Sequence, residues 1–289
     1  MKIYHHNDSD GRCGAAIALR AAIKTDHPGP GDIQLIEVDY KDPIDVDAIL
    51  PDEEIYIVDF SFKPKVMARV CGKTKNIIWI DHHKTAFPYT NQYPCQIRGL
   101  RTEDFSGCEL AWQWFYPDEP MPRAVVLIGD YDKWALRQPR CFEFYEGLKM
   151  EDTKPKSELW DVLLCSDANP LTYNMRLEIV KNGKAAIKYR DSYCSKVCHD
   201  FGYEVEFEGH KAFACNIYQF GSKGFGDRME QYDFCIAYIH DGHRFTVSLY
   251  SVKGVDVGEI CKKYGGGGHG GAAGFVVESL PFKREKKGE

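Results

Sequence analysis

The sequence predicts an α/β protein in which a mostly parallel sheet forms a large N-terminal domain. A helical linker joins this domain to a smaller α/β C-terminal domain. Three observations support this organisation. Short apolar runs alternate with helical patterns over about the first 135 residues, as in parallel sheets covered by helices. A helical pattern rich in Lys, Arg and Ala covers Thr172–Asp200, and further β-like runs follow it.

The N-terminal elements are predicted from apolar runs, caps and breakers. The predicted strands are Lys2–His6, Ile33–Val38, Ile55–Asp59 and Ile77–Ile80. The predicted helices are Gly11–Lys24, Pro64–Cys71, Cys108–Phe115 and Arg123–Ile128, with a loop at Asp152–Ser157. Ser106 and Glu109, three residues apart, form a capping box in front of the third helix.

The C-terminal domain is predicted from shorter runs. The predicted strands are Tyr203–Phe207, Ala212–Ile217, Phe234–His240, Phe245–Ser251 and Phe275–Val277. A helix at Val257–Tyr264 leads into a glycine loop before the last strand. We therefore expect an N-terminal domain at 1–165, a connecting helix at 166–200, a second domain at 201–280 and a charged tail at 281–289.

Composition places the chain among globular proteins and excludes several classes. Of its 289 residues, 44% are apolar, and the net charge of −6 gives no global basic field for long nucleic acids. No apolar run approaches the roughly 20 residues of a membrane span. The eleven cysteines are odd in number, and Met1-Lys2 runs directly into the first strand, so we expect free thiols and a cytoplasmic location. Cys194 and Cys198, four apart on a helix, are alternatively a metal-binding pair.

Acidic and imidazole side chains end three of the predicted strands. Asp81-His82-His83 follows one buried run, Asp59 ends another, and His6 and Asp8 follow the first. Ligands in open α/β sheets bind beyond the carboxyl ends of the strands, so these side chains can converge on one metal site. Carboxylate and imidazole ligands without thiolate suit Mn²⁺, and also Mg²⁺, Fe²⁺ or Zn²⁺.

The segment Asp8–Gly11 has three possible interpretations, and the third of them is set aside. Asp8 and Asp10 are two apart and can face one side of an extended chain, while Gly11 permits a sharp turn into the helix. The segment is otherwise an Asp-rich turn. It also resembles the start of a calcium loop, but the Glu that such a loop requires is absent.

His5 and His6 point to opposite sides of a strand, and we expect His6 to face the metals.

Several carboxylates at one point repel each other unless cations lie between them. An Asp that bridges two ions about 3.5–4 Å apart is a common arrangement for phosphoryl hydrolysis, in which metal-activated water attacks the phosphate. No side-chain nucleophile is then needed, and the chain has neither a Gly-x-Ser-x-Gly motif nor a P-loop. We expect two divalent ions, with Mn²⁺ favoured over Mg²⁺.

The glycine run Gly265–Gly268 with His269 is the second candidate site. Bare amides after a helix can form an anion-binding nest, to which His269 adds a donor. The alternative is a flexible linker, but apolar elements flank the run, which disfavours a linker. Lys84 is either a phosphate contact or a surface lysine.

These motifs resemble those of the DHH phosphoesterase superfamily. The resemblance rests on Asp81-His82-His83 with Asp8-x-Asp10, Asp59 and a later Asp, and on Gly265–Gly274, which is similar to the signature of the DHH-associated C-terminal domain. His6-Asn-Asp-x-Asp-Gly, Asp81-His-His-Lys-Thr85, Tyr131-Asp132-Lys-Trp134 and Val247-Ser-Leu look most like the nanoRNase and oligoribonuclease branch. An active site in the cleft between the two domains is implied.

The resemblance also implies roles for individual residues. The implied metal ligands are Asp8, Asp10, Asp59 as the bridge, His82 and Asp132. Asp130 lies in the same stretch and is an alternative to Asp132, and family members often place a His where this chain has Tyr4. Asp81 would orient the imidazoles, as metal-bound histidines usually require, and His83 would be an active-site residue.

Substrate contacts are expected from the second domain. The candidates, with Lys84 from the first domain, are Gly266, Gly267, Gly268, His269, Tyr250 and Arg228. Family members often read Ser-Leu-Arg where this chain reads Ser248-Leu249-Tyr250, which removes a bidentate phosphate clamp. Tyr250 could instead stack on a base, and Arg228 or Lys223 could replace the charge.

The implied activity is metal-dependent hydrolysis of short oligonucleotides and dinucleotides to 5′-mononucleotides, by a monomer or homodimer. Alternatives are a RecJ-like single-strand exonuclease, a cyclic-dinucleotide phosphodiesterase and a 3′-phosphoadenosine-5′-phosphate phosphatase. A nucleotide-binding regulatory module is the alternative outside the enzymes. The short, acidic chain disfavours a RecJ-like enzyme, which we expect to need further nucleic-acid-binding domains.

Overall fold

The computed structural model describes residues 1–25 and 32–284. The chain divides into two compact units, Met1–Lys184 and Ala185–Glu289. The division falls inside one long helix, Pro170–Phe201, which covers most of the segment for which the sequence predicts a connecting helix. From position 285 onward, the predicted charged tail lies outside the described residues.

The first unit contains a four-stranded sheet and seven α-helices in its described part. In chain order the elements are β1 (Lys2–His6), α1 (Ser9–Lys24), β2 (Gln34–Val38), β3 (Ile55–Val58), α2 (Pro64–Lys73), β4 (Ile77–Ile80), a 3₁₀ helix (Lys84–Gln92), α3 (Gly107–Phe115), α4 (Arg123–Asp132), α5 (Cys141–Leu148), α6 (Glu158–Leu163) and α7 (Pro170–Phe201), which continues into the second unit. The strand order is β2-β1-β3-β4, and all neighbouring strands are parallel. The predicted α/β class is confirmed.

The parallel sheet is buried on both faces, because successive side chains of a strand point to opposite sides. One core contains Ile3, Tyr56, Val58, Ile78 and Ile80 together with apolar residues of α1, α3 and α4. The opposite core contains Tyr4, Ile55, Ile57, Ile77 and Trp79 together with Met67, Val70 and Cys71 of α2. The near-continuous apolar runs of β3 and β4 follow from this two-sided burial.

The strand order creates a crevice between β1 and β3. After β1 the chain passes to β2 on one side, and it then crosses β1 to form β3 and β4 on the other side. The connections leave β1 and β3 toward opposite faces, since α1 packs in one core and α2 in the other. The carboxyl ends of neighbouring strands at such a reversal are where α/β sheets bind ligands.

The second unit contains a mixed sheet of six strands. Its elements are β5 (Tyr203–Phe207), β6 (His210–Cys215), a 3₁₀ helix (Gly221–Phe225), α8 (Arg228–Gln231), β7 (Phe234–His240), β8 (Phe245–Tyr250), α9 (Val257–Lys263), β9 (Gly267–His269) and β10 (Ala272–Val277). The strand order is β5-β6-β7-β8-β10-β9. The core includes Phe234, Val247, Leu249, Val257 and Phe275, which come from the sheet and α9.

The structure differs from the predicted elements in several places. Helix α4 continues to Asp132 instead of ending at Ile128. Helices α5 and α6 were not predicted, because eight and six residues are too few to show a clear helical period. The predicted glycine loop is partly wrong, since Gly267–His269 forms an edge strand on β10.

Two compositional expectations can be compared with the described residues. All eleven cysteines are free thiols, and Cys194 and Cys198 are buried in an apolar cluster. Among the residues that the structure describes, no helix combines the length and apolar character needed to span a membrane.

Candidate metal centre at the carboxyl edge of the parallel sheet

Three overlapping groups of His and Asp side chains meet beyond the carboxyl ends of β1, β3 and β4. Within each group the potential ligand atoms lie within 4.8 Å of one another. The groups are Asp59–His82–His83, His6–Asp8–Asp59 and Asp10–His82–Asp132. Asp59 and His82 each belong to two groups. The side chains that the sequence placed at separate strand ends therefore form one continuous cluster.

His6 and Asp8 connect the end of β1 with the start of α1. Asp8 is the N-cap of α1, and its Oδ1 accepts a hydrogen bond from the Gly11 amide at 2.9 Å. Its Oδ2 lies 2.7 Å from His6 Nδ1, which is 3.8 Å from Asp59 Oδ2. His6 thus faces the cluster, whereas His5 is buried with its Nδ1 2.8 Å from the His6 carbonyl oxygen.

Asp59 lies in the centre of the cluster because the chain turns immediately after β3. Its φ of +53° is left-handed, a conformation that Asp tolerates better than most residues. The first residue of α3 is Gly107, and a Cβ there would lie 2.4 Å from the Asp59 Cβ and 2.8 Å from its Oδ1. Glycine at position 107 therefore leaves the space that the buried Asp59 carboxylate occupies.

Asp10 is bound by the N-terminus of α3. Its Oδ1 accepts hydrogen bonds from Ser106 Oγ and the Cys108 amide, and its Oδ2 accepts one from the Gly107 amide at 2.7 Å. These donors carry the positive end of the helix dipole, which favours an ionised carboxylate. The predicted capping box of Ser106 and Glu109 is confirmed, and its Ser106 hydroxyl also positions Asp10.

The two histidines of the Asp81-His82-His83 triplet have different contacts. Asp81 is fully buried, and its Oδ1 accepts hydrogen bonds from the His83 amide and from His83 Nδ1 at 2.7 Å. His82 Nε2 lies 3.1 Å from Asp59 Oδ1 and 3.3 Å from Asp132 Oδ2. His82 therefore bridges the cluster, while Asp81 fixes the ring of His83.

The two aspartates at the end of α4 have different surroundings. Asp132 points into the cluster beside His82. Asp130 instead accepts hydrogen bonds from the Arg137 amide at 3.2 Å and the Gln138 amide at 2.9 Å. Among the described residues, Asp130 belongs to none of the three candidate metal groups.

Burial and crowding of carboxylates shift the pKa values of the cluster. Burial, with the charges of Asp10 and Asp8, raises the pKa of Asp132 to about 9. Burial and the same neighbours raise the pKa of Asp59 well above its usual range. Burial lowers the pKa of His82, whereas the pKa of His83 is raised because its bond to Asp81 outweighs the effect of burial. Without a cation, the folded site favours protonated Asp59 and Asp132.

The donor set fits divalent metal ions. The buried oxygens Asp59 Oδ1 and Asp132 Oδ2 have no hydrogen-bond partner of acceptable geometry among the described residues. Buried carboxylate oxygens without a partner are costly unless a proton or a cation compensates them. Their position beside His82, with Asp8, Asp10 and His6 at the ends of the cluster, matches the mixed carboxylate and imidazole environment of Mn²⁺ or Mg²⁺ sites.

The structure adds residues that were not predicted as parts of the site. Tyr40 packs 5.9 Å from the His83 ring and 5.7 Å from the His6 ring, measured between ring centroids. Lys133 Nζ lies 2.6 Å from Glu109 Oε2, which also accepts a bond from the Ser106 amide. The contacts of Tyr40 and of Lys133 join segments far apart in sequence, so no local pattern could reveal them.

The remaining predicted residues have the following positions. Lys84 is exposed and pairs with Glu103 at 3.0 Å. His269 is exposed at the end of β9, and Arg228 lies over the ring of Phe213. Tyr250 lines a cavity of about 290 Å³ within the second unit.

The glycine run is shaped mainly by close packing. A Cβ on Gly266 would lie 2.1 Å from the Gly274 carbonyl oxygen, and one on Gly268 would lie 2.6 Å from that of Ala272. Gly267 has open space around its Cα among the described residues.

Comparison with known proteins gives distant relatives. No known protein-family profile matches the chain. It is 24% identical over 268 residues to the uncharacterized protein R106 of Acanthamoeba polyphaga mimivirus, an alignment that covers 88% of the chain and 59% of the relative. It is 22% identical to the bifunctional oligoribonuclease and PAP phosphatase NrnA of Mycoplasma pneumoniae, over 96% of the chain and 87% of the relative. The chain thus spans less than two thirds of the viral relative.

Solved structures show the same fold at low sequence identity. The DHH domain of a protein assigned to a family of ribosomal proteins is 14% identical and aligns with a TM-score of 0.55, over 96% of this chain and 82% of the other. The pGpG-specific phosphodiesterase PggH of Vibrio cholerae is 14% identical, with a TM-score of 0.50, over 96% and 92%. The fold is that of these DHH-domain structures, and the order of the motifs and the NrnA relative agree with the resemblance to the DHH phosphoesterases that the sequence shows.

Proposed function

We propose that the protein is a metal-dependent phosphodiesterase that hydrolyses short oligonucleotides, including dinucleotides, to 5′-mononucleotides. The observation that carries this proposal is the cluster of buried carboxylate oxygens without partners, beside His82, at the reversal of strand order. The M. pneumoniae relative is named an oligoribonuclease, which supports a short oligonucleotide as substrate.

Six side chains would hold two divalent ions, with Mn²⁺ favoured over Mg²⁺. They are His6, Asp8, Asp10, Asp59, His82 and Asp132. Asp59 is the proposed bridging ligand because it belongs to two of the three groups. When bound, such a pair supplies Lewis-acid activation of the phosphate and of the attacking water.

The other residues of the site would orient the substrate. Asp81 fixes one tautomer and orientation of His83, and the raised pKa of His83 favours its protonated form. A protonated imidazole at that position suits donation of a hydrogen bond to an anionic phosphate. Asp10 is held by amides at the N-terminus of α3, so its carboxylate stays in place while substrates exchange.

The second unit is proposed to bind the rest of the nucleotide. Its candidates are Gly266, Gly267, Gly268, His269, Tyr250 and Arg228. Tyr250 lines its cavity together with Ser248, Thr246 and Tyr218, so two aromatic rings and four hydroxyl groups border the space proposed for a nucleotide. Gly267 is the proposed point of close backbone approach, because the space around its Cα is open.

A second candidate function is removal of the 3′-phosphate from 3′-phosphoadenosine-5′-phosphate. It is favoured by the second activity in the name of the M. pneumoniae relative. Both reactions would present a phosphate ester to the same metal pair and expel the 3′-oxygen of a nucleoside, and they differ in whether the attacked phosphate also carries a second nucleoside. The two functions can therefore coexist in one site.

The test compares substrates with the purified protein in Mn²⁺. The substrates are a 5′-phosphorylated RNA dinucleotide, a long single-stranded DNA, a cyclic dinucleotide and 3′-phosphoadenosine-5′-phosphate. We expect the dinucleotide to be cleaved fastest and Asp8→Asn to abolish cleavage. A preference for the long strand would favour the RecJ-like alternative. Binding of nucleotides without hydrolysis would favour the regulatory module.

A further inference from the structure

The segment after α4 holds a large aromatic side chain in an unusual backbone conformation. Trp134 and Leu136 both have φ of +52°, although bulky residues strongly disfavour the left-handed region. The Trp134 side chain is also 59% exposed. The indole packs on the Tyr131 ring but leaves more than half of its surface exposed to solvent on a strained backbone. Strain of this kind concentrates at functional sites, which calls for a functional explanation.

Asp130 imposes this conformation. Its carboxylate accepts hydrogen bonds from the amides of Arg137 and Gln138, and its carbonyl oxygen accepts bonds from Ala135 at 3.0 Å and Leu136 at 3.3 Å. Four amides of the segment therefore converge on one residue. This accounts for Asp130, the aspartate of Asp130-Tyr-Asp132 that belongs to none of the three candidate metal groups among the described residues.

The Trp134 backbone lies close to the metal cluster. Asp132 is two residues before Trp134, and consecutive Cα atoms are about 3.8 Å apart, so the two Cα atoms are within about 7.6 Å. Trp134 meets the ring of Tyr131 edge to face at 5.4 Å, and Tyr131 stacks on Tyr145 at 3.4 Å. The Tyr145 hydroxyl in turn interacts with Ser9, next to Asp8. A continuous aromatic surface thus borders the ligand residues.

We propose that Trp134 is a stacking platform for a nucleobase of the substrate, and that Asp130 is a positioning residue that holds it there. This inference rests on the proposed function, because a nucleotide substrate supplies the base. Stacking suits a small substrate of any sequence, since every base has a π-face. It also suits an acidic protein, because stacking does not depend on a basic groove.

The first experiment removes the ring and the base separately. The variants are Trp134→Ala, Trp134→Phe and the control Tyr189→Ala, which removes a 75% exposed tyrosine on α7. The substrates are the 5′-phosphorylated RNA dinucleotide and two analogues, each lacking one of its bases. We expect Trp134→Ala to raise KM for the full dinucleotide by about tenfold or more, with a smaller effect on kcat. Trp134→Phe should restore most of the affinity, and Tyr189→Ala should match the wild type.

The decisive result is coupling between ring and base. Removing the stacked base should weaken binding to the wild type but have little further effect on Trp134→Ala. Equal losses in both proteins for both analogues would overturn the proposal, and would leave the exposed indole as a contact for another partner.

The second experiment separates Asp130 from Asp132. Asp130→Asn leaves one oxygen to accept bonds from two amides, so we expect a higher KM, a normal Mn²⁺ titration and little change in kcat. Asp132→Asn should lower kcat and weaken the Mn²⁺ response. If Asp130→Asn weakened Mn²⁺ binding as strongly as Asp132→Asn does, Asp130 would be a ligand and not a positioning residue.

Failure of the stacking proposal and failure of the proposed function give different results. Hydrolysis of the dinucleotide without coupling would overturn only the stacking. If the wild type hydrolyses nothing, binding is read from quenching of tryptophan fluorescence by adenosine monophosphate. Quenching that Trp134→Phe removes would support the platform in a non-hydrolytic protein, and quenching that it leaves unchanged would overturn it.

Discussion

The carboxyl edge of the parallel sheet and the glycine run of the mixed sheet differ in how many of their polar groups are paired. At the first, Asp59 Oδ1 and Asp132 Oδ2 are buried oxygens that have no hydrogen-bond partner of acceptable geometry among the described residues. At the second, the backbone is largely paired: Gly266 donates to the Cys261 carbonyl, and Gly270 accepts from the Val257 amide. The unpaired carboxylate oxygens of the first region are available to bind cations, which supports it as the proposed metal centre. The second is shaped mainly by close packing, so only its open positions are available to a ligand.

The largest expected effect is loss of activity in Asp59→Asn. The amide keeps the size of the side chain but removes the charge that would bridge two cations. We expect kcat to fall by about 10²-fold or more, as when a group that stabilises charge at a reaction centre is lost. Initial rates in Mn²⁺ measure this. In chelator at neutral pH the variant should unfold at a higher temperature than the wild type, since folding no longer has to bury or protonate the Asp59 carboxylate. Retained activity would show that Asp59 is not a ligand.

Next comes the contrast between Gly266→Ala and Gly267→Ala. The first places a Cβ 2.1 Å from a carbonyl oxygen and should lower the free energy of unfolding by about 1–3 kcal/mol, whereas the second meets open space. Urea denaturation measures both. If Gly267 approaches the substrate, Gly267→Ala should keep the stability and raise KM. Equal destabilisation by both substitutions would contradict the packing explanation of this run.

The metal-free protein should lose stability as the pH rises from about 4 to about 9. Burial and the charges of Asp10 and Asp8 raise the pKa of Asp132 to about 9, so the folded state holds a proton that the unfolded chain releases near pH 4. In chelator, we expect the melting temperature to fall by a few degrees more between pH 5.5 and 8 in the wild type than in Asp132→Asn. Excess Mn²⁺ should remove the difference, because a cation replaces the proton. A pH response that is the same in both proteins would contradict this assignment.

The smallest effect is expected for Lys84→Ala. Lys84 forms an exposed ion pair with Glu103, and such pairs contribute at most about 1 kcal/mol to stability. We expect a change below about 0.5 kcal/mol in the free energy of unfolding and less than a twofold change in KM. Glu103→Ala is the matched control. A KM that rises only in Lys84→Ala would identify Lys84 as a phosphate contact.

Local patterns were sufficient for the strands and for most of the cluster. The apolar runs before Asp59 and Asp81 end where the strands end, because polar side chains cannot continue into a sheet buried on both faces. The parallel arrangement then brings the strand ends together. This is why residues more than 70 positions apart, such as His6 and His83, could be predicted to meet.

Features that depend on element ends or on distant contacts were not predictable. Two residues separated by one position on a helix point about 200° apart, so the different surroundings of Asp130 and Asp132 follow from the extension of α4 to Asp132. The sequence predicted a helix that ended four residues earlier. The contact of Ser106 with Asp10 joins positions 96 apart, and glycines have no side-chain alternation that could reveal the strand at Gly267–His269.

The bare Cα of Gly107 has a consequence for how this superfamily is searched. Asp59 occupies the volume that any side chain at position 107 would claim. A homologous chain can therefore retain every acidic and imidazole residue of the cluster and still be inert, if a single larger residue begins its α3. Searches that score only the charged motifs would count such a chain as an enzyme. The residue at position 107 should therefore be inspected together with the charged motifs when catalytically active chains are distinguished from inactive ones.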